Sequence, residues 1–203
     1  MPRPRSLTNP QIADAALRVL DRDGLDGLTM RAVATELGMG TMSVYRYVAD
    51  RAQLEALVVD HVLTGVDTTA PDTEPRHRQI SVLADRVRTA VGAHPAVVPL
   101  ILAHRHTSPA SMRWGDAVLG VLAEAGLGPA QRVVAFRALV AYVFGALQVE
   151  HFSPLAGPGT AALAALDPTD HPHLAATARE AQGIGPDEEF RGGLDILLRG
   201  LAL

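Results

Sequence analysis

The chain of 203 residues contains no cysteine and no lysine, and only 4% of it is aromatic. Without cysteine it has neither disulfides nor thiolate metal centres, which agrees with a reducing cytoplasm. Without lysine, its 18 basic residues are all arginine. Every permanently charged side chain that meets a phosphate or carboxylate is therefore a planar guanidinium that can bond two oxygens. With so few rings, the core must be built mainly from Leu, Val and Ala. No apolar run approaches the roughly 18 residues of a membrane span. The opening MPRPRSLT lacks the apolar stretch of a signal peptide.

A net charge of −4 argues against a chain that coats nucleic acid indiscriminately. The charge is uneven, however. Residues 1–51 hold seven Arg against six acids, and residues 52–203 hold eleven Arg against sixteen. A slightly basic head on an acidic body suits a local nucleic-acid footprint.

What is present reads as helix nearly throughout, an all-α chain. Ile12, Ala15, Ala16, Val19 and Leu20 recur at helical spacing behind the start signal Thr8-Asn9-Pro10-Gln11. Either Thr8 caps with Gln11 reciprocating, or Asn9 caps with Pro10 as the first helical residue. Gly24 predicts the end of this helix. Thr29 predicts the N-cap of a second helix reaching Leu37, with Gly38 ending it. A third helix is expected over 41–47, and Asp50 caps a fourth carrying Leu54, Leu57, Val58, His61 and Val62. Two short helices meet at Gly38-Met39-Gly40, and the second bears small, hydroxyl, aromatic and Arg side chains. That is the layout of a helix-turn-helix, whose second helix enters the DNA major groove.

Residues 64–78 form a polar, turn-rich connection. Helices are expected over 79–92, 96–106, 110–126 and 129–152, with Pro95, Pro109 and Gly128-Pro129 as punctuation. One or two short helices fall between 153 and 185, and a last one spans 187–200. No repeat and no alternating run demands a strand.

Residues 8–63 resemble the DNA-binding head of TetR-family transcriptional repressors. The resemblance rests on GLDGLTMRAVATELGM followed by SVYRYVADRAQLEAL: the Leu-Thr-x-Arg entry to helix two, the Gly that ends it, a Tyr late in helix three, then a basic residue and Leu on helix four. Helix placement in the remainder is similar to the tetracycline-repressor branch. The resemblance implies an N-terminal helix-turn-helix head over 1–52 and an effector-binding, dimerising helical body over 53–203. It implies that Arg31 reads a base, that Thr41, Met42, Ser43 and Tyr47 face the groove, and that Thr29, Tyr45 and Arg51 hold phosphates. Arg46 serves either role. The residue types fit: Arg is the common bidentate partner of guanine, hydroxyls adapt to several bases, and a Met or Thr methyl can touch a thymine methyl. Phosphate contacts fix register without carrying sequence information. Arg3 and Arg5 precede the first helix, within reach of the backbone or a minor groove. One departure is Gly40, where many family members place a side-chain cap; either Gly40 caps with its backbone alone or Thr41 supplies the cap.

Helix-turn-helix readers act as dimers on half-sites about 34 Å apart. The candidate dimer helices are 131–150, apolar nearly all round, and 190–201. The resemblance implies that these two from each subunit form a four-helix interface. It also implies a small-molecule pocket, for which the candidate lining residues are Leu100, His104, Met112, Trp114, Phe136, Tyr142, Phe144 and His151. Ile101 and Ala141 stand where the tetracycline-repressor branch uses His to hold a magnesium–drug chelate, so tetracycline is not the expected inducer. The expected partners are a double-stranded, pseudo-palindromic operator, an unknown small-molecule effector and a second copy of the chain. No cofactor, metal or membrane is expected.

Two other classes remain to be weighed. One is a constitutive DNA-binding regulator without a ligand. The other is a metal hydrolase built from His94, His104, His106, Glu150, His151, Asp170, His171 and His173. His104-x-His106 points to different faces of a helix, unlike the i, i+4 spacing of a helical zinc pair. No nucleophile elbow, P-loop or dinucleotide fingerprint accompanies these residues.

Overall fold

Thr8 opens the first helix, and its backbone N–H donates to Gln11 Oε1 at 3.0 Å. Of the two readings of this start, Thr8 is therefore the cap. The computed structural model describes residues 7–152 and 155–201, and each element among them is helical. Arg3 and Arg5 lie outside the described residues.

The head consists of α1 (Asn9–Gly27), α2 (Met30–Glu36) and α3 (Thr41–Val44). Gly24 does not end α1 but breaks it, with φ 70 and ψ −173, before a last turn through Gly27. Ile12, Ala15, Ala16, Val19 and Leu20 are all fully buried, so the apolar stripe read from sequence is the packed face. Each Leu, Ile or Val withdrawn from water in this way contributes about 2 kcal/mol.

The next element, α4 (Arg51–Thr64), joins head to body. Asp50 caps it by accepting from the Gln53 N–H at 2.8 Å, and Gln53 returns an acceptor to the Ala49 N–H. This helix packs on α1 and also on three helices of the body. The body comprises α5 (Arg76–Gly92), α6 (Val98–His104, entered through a 3-10 turn at Pro95–Val97), α7 (Pro109–Glu124) and α8 (Pro129–Phe152), followed by α9 (Pro158–Ala164), α10 (Pro172–Ala181) and α11 (Pro186–Gly200). The α8 helix packs on α5, α6, α7 and α11 through Ala135, Leu139, Val143 and Leu147. By contrast, α9 and α10 pack chiefly against each other, and their buried Thr160, Ala175 and Ala178 stand apart from the main core.

By length and composition α8 is long and apolar enough to cross a membrane. In this structure one face of it lies in the helical body, while Val133 and Val134 remain 48% and 67% exposed. The same situation holds on α11, where Phe190, Leu194 and Leu198 are buried and Ile196 is 68% exposed.

Arg88 of α5 ties the two together. Its guanidinium grips Glu150 of α8 with two bonds, 2.9 and 3.0 Å, and reaches Asp187 of α11 at 2.7 Å. It also lies 4.8 Å from the centre of the Phe190 ring.

Candidate nucleic-acid interface and body cavity

Thr29 caps α2 by accepting from the Ala32 N–H at 3.1 Å. The helix ends in a Schellman turn: the Gly38 N–H reaches Thr35 C=O and the Met39 N–H reaches Ala34 C=O. Gly38 sits at φ +67, which an L side chain adopts only under strain. The turn delivers α3, whose N-cap is Gly40 with no side-chain hydrogen bond, so Thr41 is its first helical residue. The regular helix is a single turn, shorter than the expected 41–47, and the chain continues as turn through Tyr47. Val44 and Val48, both fully buried, pin this segment to the head.

That anchoring decides which side chains face out. Met42 is 76% and Tyr45 44% exposed, and Arg31, Arg46 and Thr29 are exposed with them. Thr41 and Ser43 are half-buried, and Tyr47 packs partly against the core. Neither Arg31 nor Arg46 takes part in an ion pair among the described residues. Glu36, the nearest acid on α2, has its oxygens occupied by Arg18 at 2.8 Å and Arg22 at 3.0 Å, both from α1. Those bonds, Arg18 foremost, hold the Glu36 carboxyl below the usual range. Arg31 is thus left unneutralised. Arg51 is placed differently: its guanidinium bonds Glu55 at 2.7 Å and the Leu25 carbonyl at 2.9 Å.

Glu55 carries the connection onward, its second oxygen lying 2.9 Å from His104 Nε2 on α6. Further along α4, Asp60 accepts from Ser108 Oγ at 2.9 Å and from the Ala110 N–H at 2.8 Å, securing the start of α7. A separate tie joins His94 to Asp21 of α1 at 2.7 Å.

Between α6, α7 and α8 lies a cavity of about 580 Å³, within the range of small-molecule sites. Trp114, Phe136 and Phe144 line it, with ring centroids 6.5 and 6.1 Å apart in the two pairs made by Trp114. The Trp114 indole N–H is spent on the Leu83 carbonyl at 3.0 Å, so the ring has no donor left to offer. Of the other expected lining residues, Leu100 is buried in the core, Met112 is half-exposed on the surface, and His104 is held by Glu55. Tyr142 and His151 line a second cavity, of about 620 Å³, near α11. There the Tyr142 hydroxyl donates to the Phe190 carbonyl at 2.7 Å. Sequence reasoning did not single out Leu63, Leu102, Arg105, Ser111 or Arg137 of the first cavity. No motif marks them; only the packing of four helices brings them together. Ile101 and Ala141, noted where the tetracycline branch uses His, both line it. Among the described residues no group of three His, Asp or Glu is gathered to hold a metal.

Comparison with known proteins places this arrangement. The family model described as "Bacterial regulatory proteins, tetR family" matches residues 12–55, and that described as "Tetracyclin repressor-like, C-terminal domain" matches residues 70–203. The repressor DrrR1 of Streptomyces coeruleorubidus is 32% identical over 71% of this chain, and a transcriptional regulator of Saccharopolyspora erythraea is 28% identical over a similar stretch. The matched stretches span only 54% and 61% of the length of these two relatives. The class A tetracycline repressor from Escherichia coli is 31% identical over 93% of this chain and 87% of its own length. Among solved structures, ActR of Streptomyces coelicolor bound to actinorhodin superposes with a TM-score of 0.85 at 27% identity, covering 98% of this chain and 97% of that one. The chain belongs to the TetR family of bacterial regulatory proteins.

Proposed function

We propose that this chain is a sequence-specific DNA-binding transcriptional repressor of the cytoplasm, acting as a homodimer and released from its operator by a small molecule. It performs no catalysis. The observation that carries this reading is the pairing of two surfaces on one helical frame. A short, valine-anchored helix presents Met42, Tyr45 and Arg46 beside an unneutralised Arg31. Behind it, α4 leads from that head to a ring-lined cavity.

On this reading Arg31 reads a base, Met42 and the hydroxyls of Thr41 and Ser43 meet groove edges, and Tyr45 and Arg46 meet phosphates. Dimerisation covers the exposed apolar residues Val133, Val134 and Ile196 of α8 and α11. Head and body divide near residue 52, with α4 as the shared beam. The effector binds better to a form whose two heads are wrongly spaced for successive major-groove faces, so its binding and operator binding oppose each other by linkage. The ligand-bound ActR structures support the effector assignment.

The direct test is selection of bound sequences from a randomised duplex library at near-physiological salt. Enrichment of an inverted repeat is expected. A folded, dimeric protein that enriches no sequence, with or without aromatic small molecules, would overturn the reading.

A further inference from the structure

The cavity between α6, α7 and α8 differs in charge from the others. Its lining contains Arg105 and Arg137 and no Asp, Glu or His. The other principal cavities each carry at least one carboxylate: Glu74 and Asp85, Glu150 and Glu189, Glu36, or Asp67. This cationic lining sits in a chain with an acidic balance overall. Neither arginine has an ion-pair partner among the described residues. One arm of Arg105 rests on the Leu102 carbonyl, which leaves its other donors free. Ser111 Oγ, also in the lining, is buried and has no hydrogen-bond partner. A buried hydroxyl left unmatched costs stability unless something bonds it.

We infer that the effector of this cavity is a flat aromatic acid, bearing a carboxylate or phenolate, and not a neutral hydrocarbon, a cation or a metal chelate. The inference rests on the ligand-controlled reading above and specifies its ligand. Trp114, Phe136 and Phe144 supply ring faces and edges for a planar scaffold. Arg105 and Arg137 supply paired donors for an anionic oxygen, with Ser111 Oγ as a third. A cation would meet two like charges with no carboxylate to offset them. A chelated divalent metal would find no imidazole or carboxylate from the protein.

The test uses three probes of nearly equal shape: anthracenecarboxylate, its neutral carboxamide, and the cationic anthracenemethylamine. Trp114 is the sole tryptophan, so quenching of its emission reports occupancy directly. The carboxylate is expected to bind about ten-fold or more tightly than the carboxamide, with the amine weakest. Arg105→Gln and Arg137→Gln should each draw the carboxylate-to-carboxamide ratio toward parity. Arg113→Gln, outside the lining, should leave it unchanged. Helical circular dichroism of each variant verifies the fold. Equal binding of acid and amide, or a ratio that neither cavity arginine moves, overturns the acidic-ligand assignment while leaving ligand control intact. Failure of all three probes to quench Trp114 in folded protein also overturns the acidic-ligand assignment, whereas ligand control itself falls only with the operator test above.

Discussion

His104 on α6 and Glu55 on α4 meet at 2.9 Å, each side chain more than four-fifths shielded from solvent. Glu55 in turn holds Arg51, which reaches the Leu25 carbonyl below the head. A polar relay therefore runs from the cavity's own helix to the edge of the DNA-binding unit. In a double-mutant cycle of His104→Ala and Glu55→Ala, we expect a coupling of about 1 kcal/mol in denaturant unfolding. Additive losses would mean that the two side chains are neighbours without mutual dependence.

Arg31, Arg46 and Arg51 should separate by their surroundings. Arg31→Ala is expected to cost roughly 1–3 kcal/mol on the selected operator and to relax preference at one base position. Arg46→Ala should weaken all sequences about equally and flatten the salt dependence. Arg51→Ala should do the same and also lower thermal stability, because it deserts Glu55 and the Leu25 carbonyl. Binding titrations on cognate and scrambled duplexes decide; equal losses on both for Arg31→Ala remove its base-reading role.

At the α8–α11 contact, Gly193 lies directly against the Tyr142 side chain. A Cβ there would lie 2.3 Å from Tyr142 Oη and 2.9 Å from its ring carbons. Gly193→Ala should therefore destabilise by about 1–3 kcal/mol as Tyr142 is forced from the Phe190 carbonyl. A companion change, Gly192→Ala, meets open space inside the same helix and should stabilise by about 0.5–1 kcal/mol in the same melt.

Arg88→Ala is expected to cost about 2–4 kcal/mol, since it strands the half-buried Glu150 and uncovers Phe190. Arg88→Met, which restores much of the buried volume, should recover only the packing part. Chemical denaturation of the two variants separates packing from charge.

Acid should loosen the α1–α2 clamp. Glu36 is held below its ordinary value of 4.5 by Arg18 first and Arg22 second. A carboxyl depressed on folding stabilises above its unfolded value and loses that contribution as pH falls through the folded one. Unfolding followed from pH 6 down to about 2 should show the wild type losing stability more steeply below pH 4.5 than Glu36→Gln. Parallel curves would show that the clamp contributes nothing.

Much of this architecture was legible in the residues. The periodic run from Ile12 to Leu20, the caps at Thr29 and Asp50, and the stop at Gly38 each act through local geometry, so each element appears where local chemistry places it. The recognition segment was read too long because side-chain spacing cannot distinguish helix from the turn that follows Val44. Gly24 was read as a stop, whereas the chain resumes one more turn beyond it. Trp114, Phe136 and Phe144, named because the resemblance implies a pocket, do line one cavity. Leu100, His104 and Met112 were not brought to that cavity, because which way a helix face turns depends on its neighbours. Arg105, Ser111 and Arg137 carry no local signature at all; helix packing alone groups them.

The α9–α10 hairpin, closed by small side chains such as Ala175 and Ala178, has the opposite character from the head. With so little apolar area holding it to the rest, it should be the first region to exchange its amide hydrogens and the first cut by a protease. For the same reason it is the place where this scaffold can accept extra length. Insertions or exchanged loops between residues 157 and 185 leave the DNA-facing surface and the aromatic cavity untouched. Diversity among related regulators can accumulate there at small cost in folding.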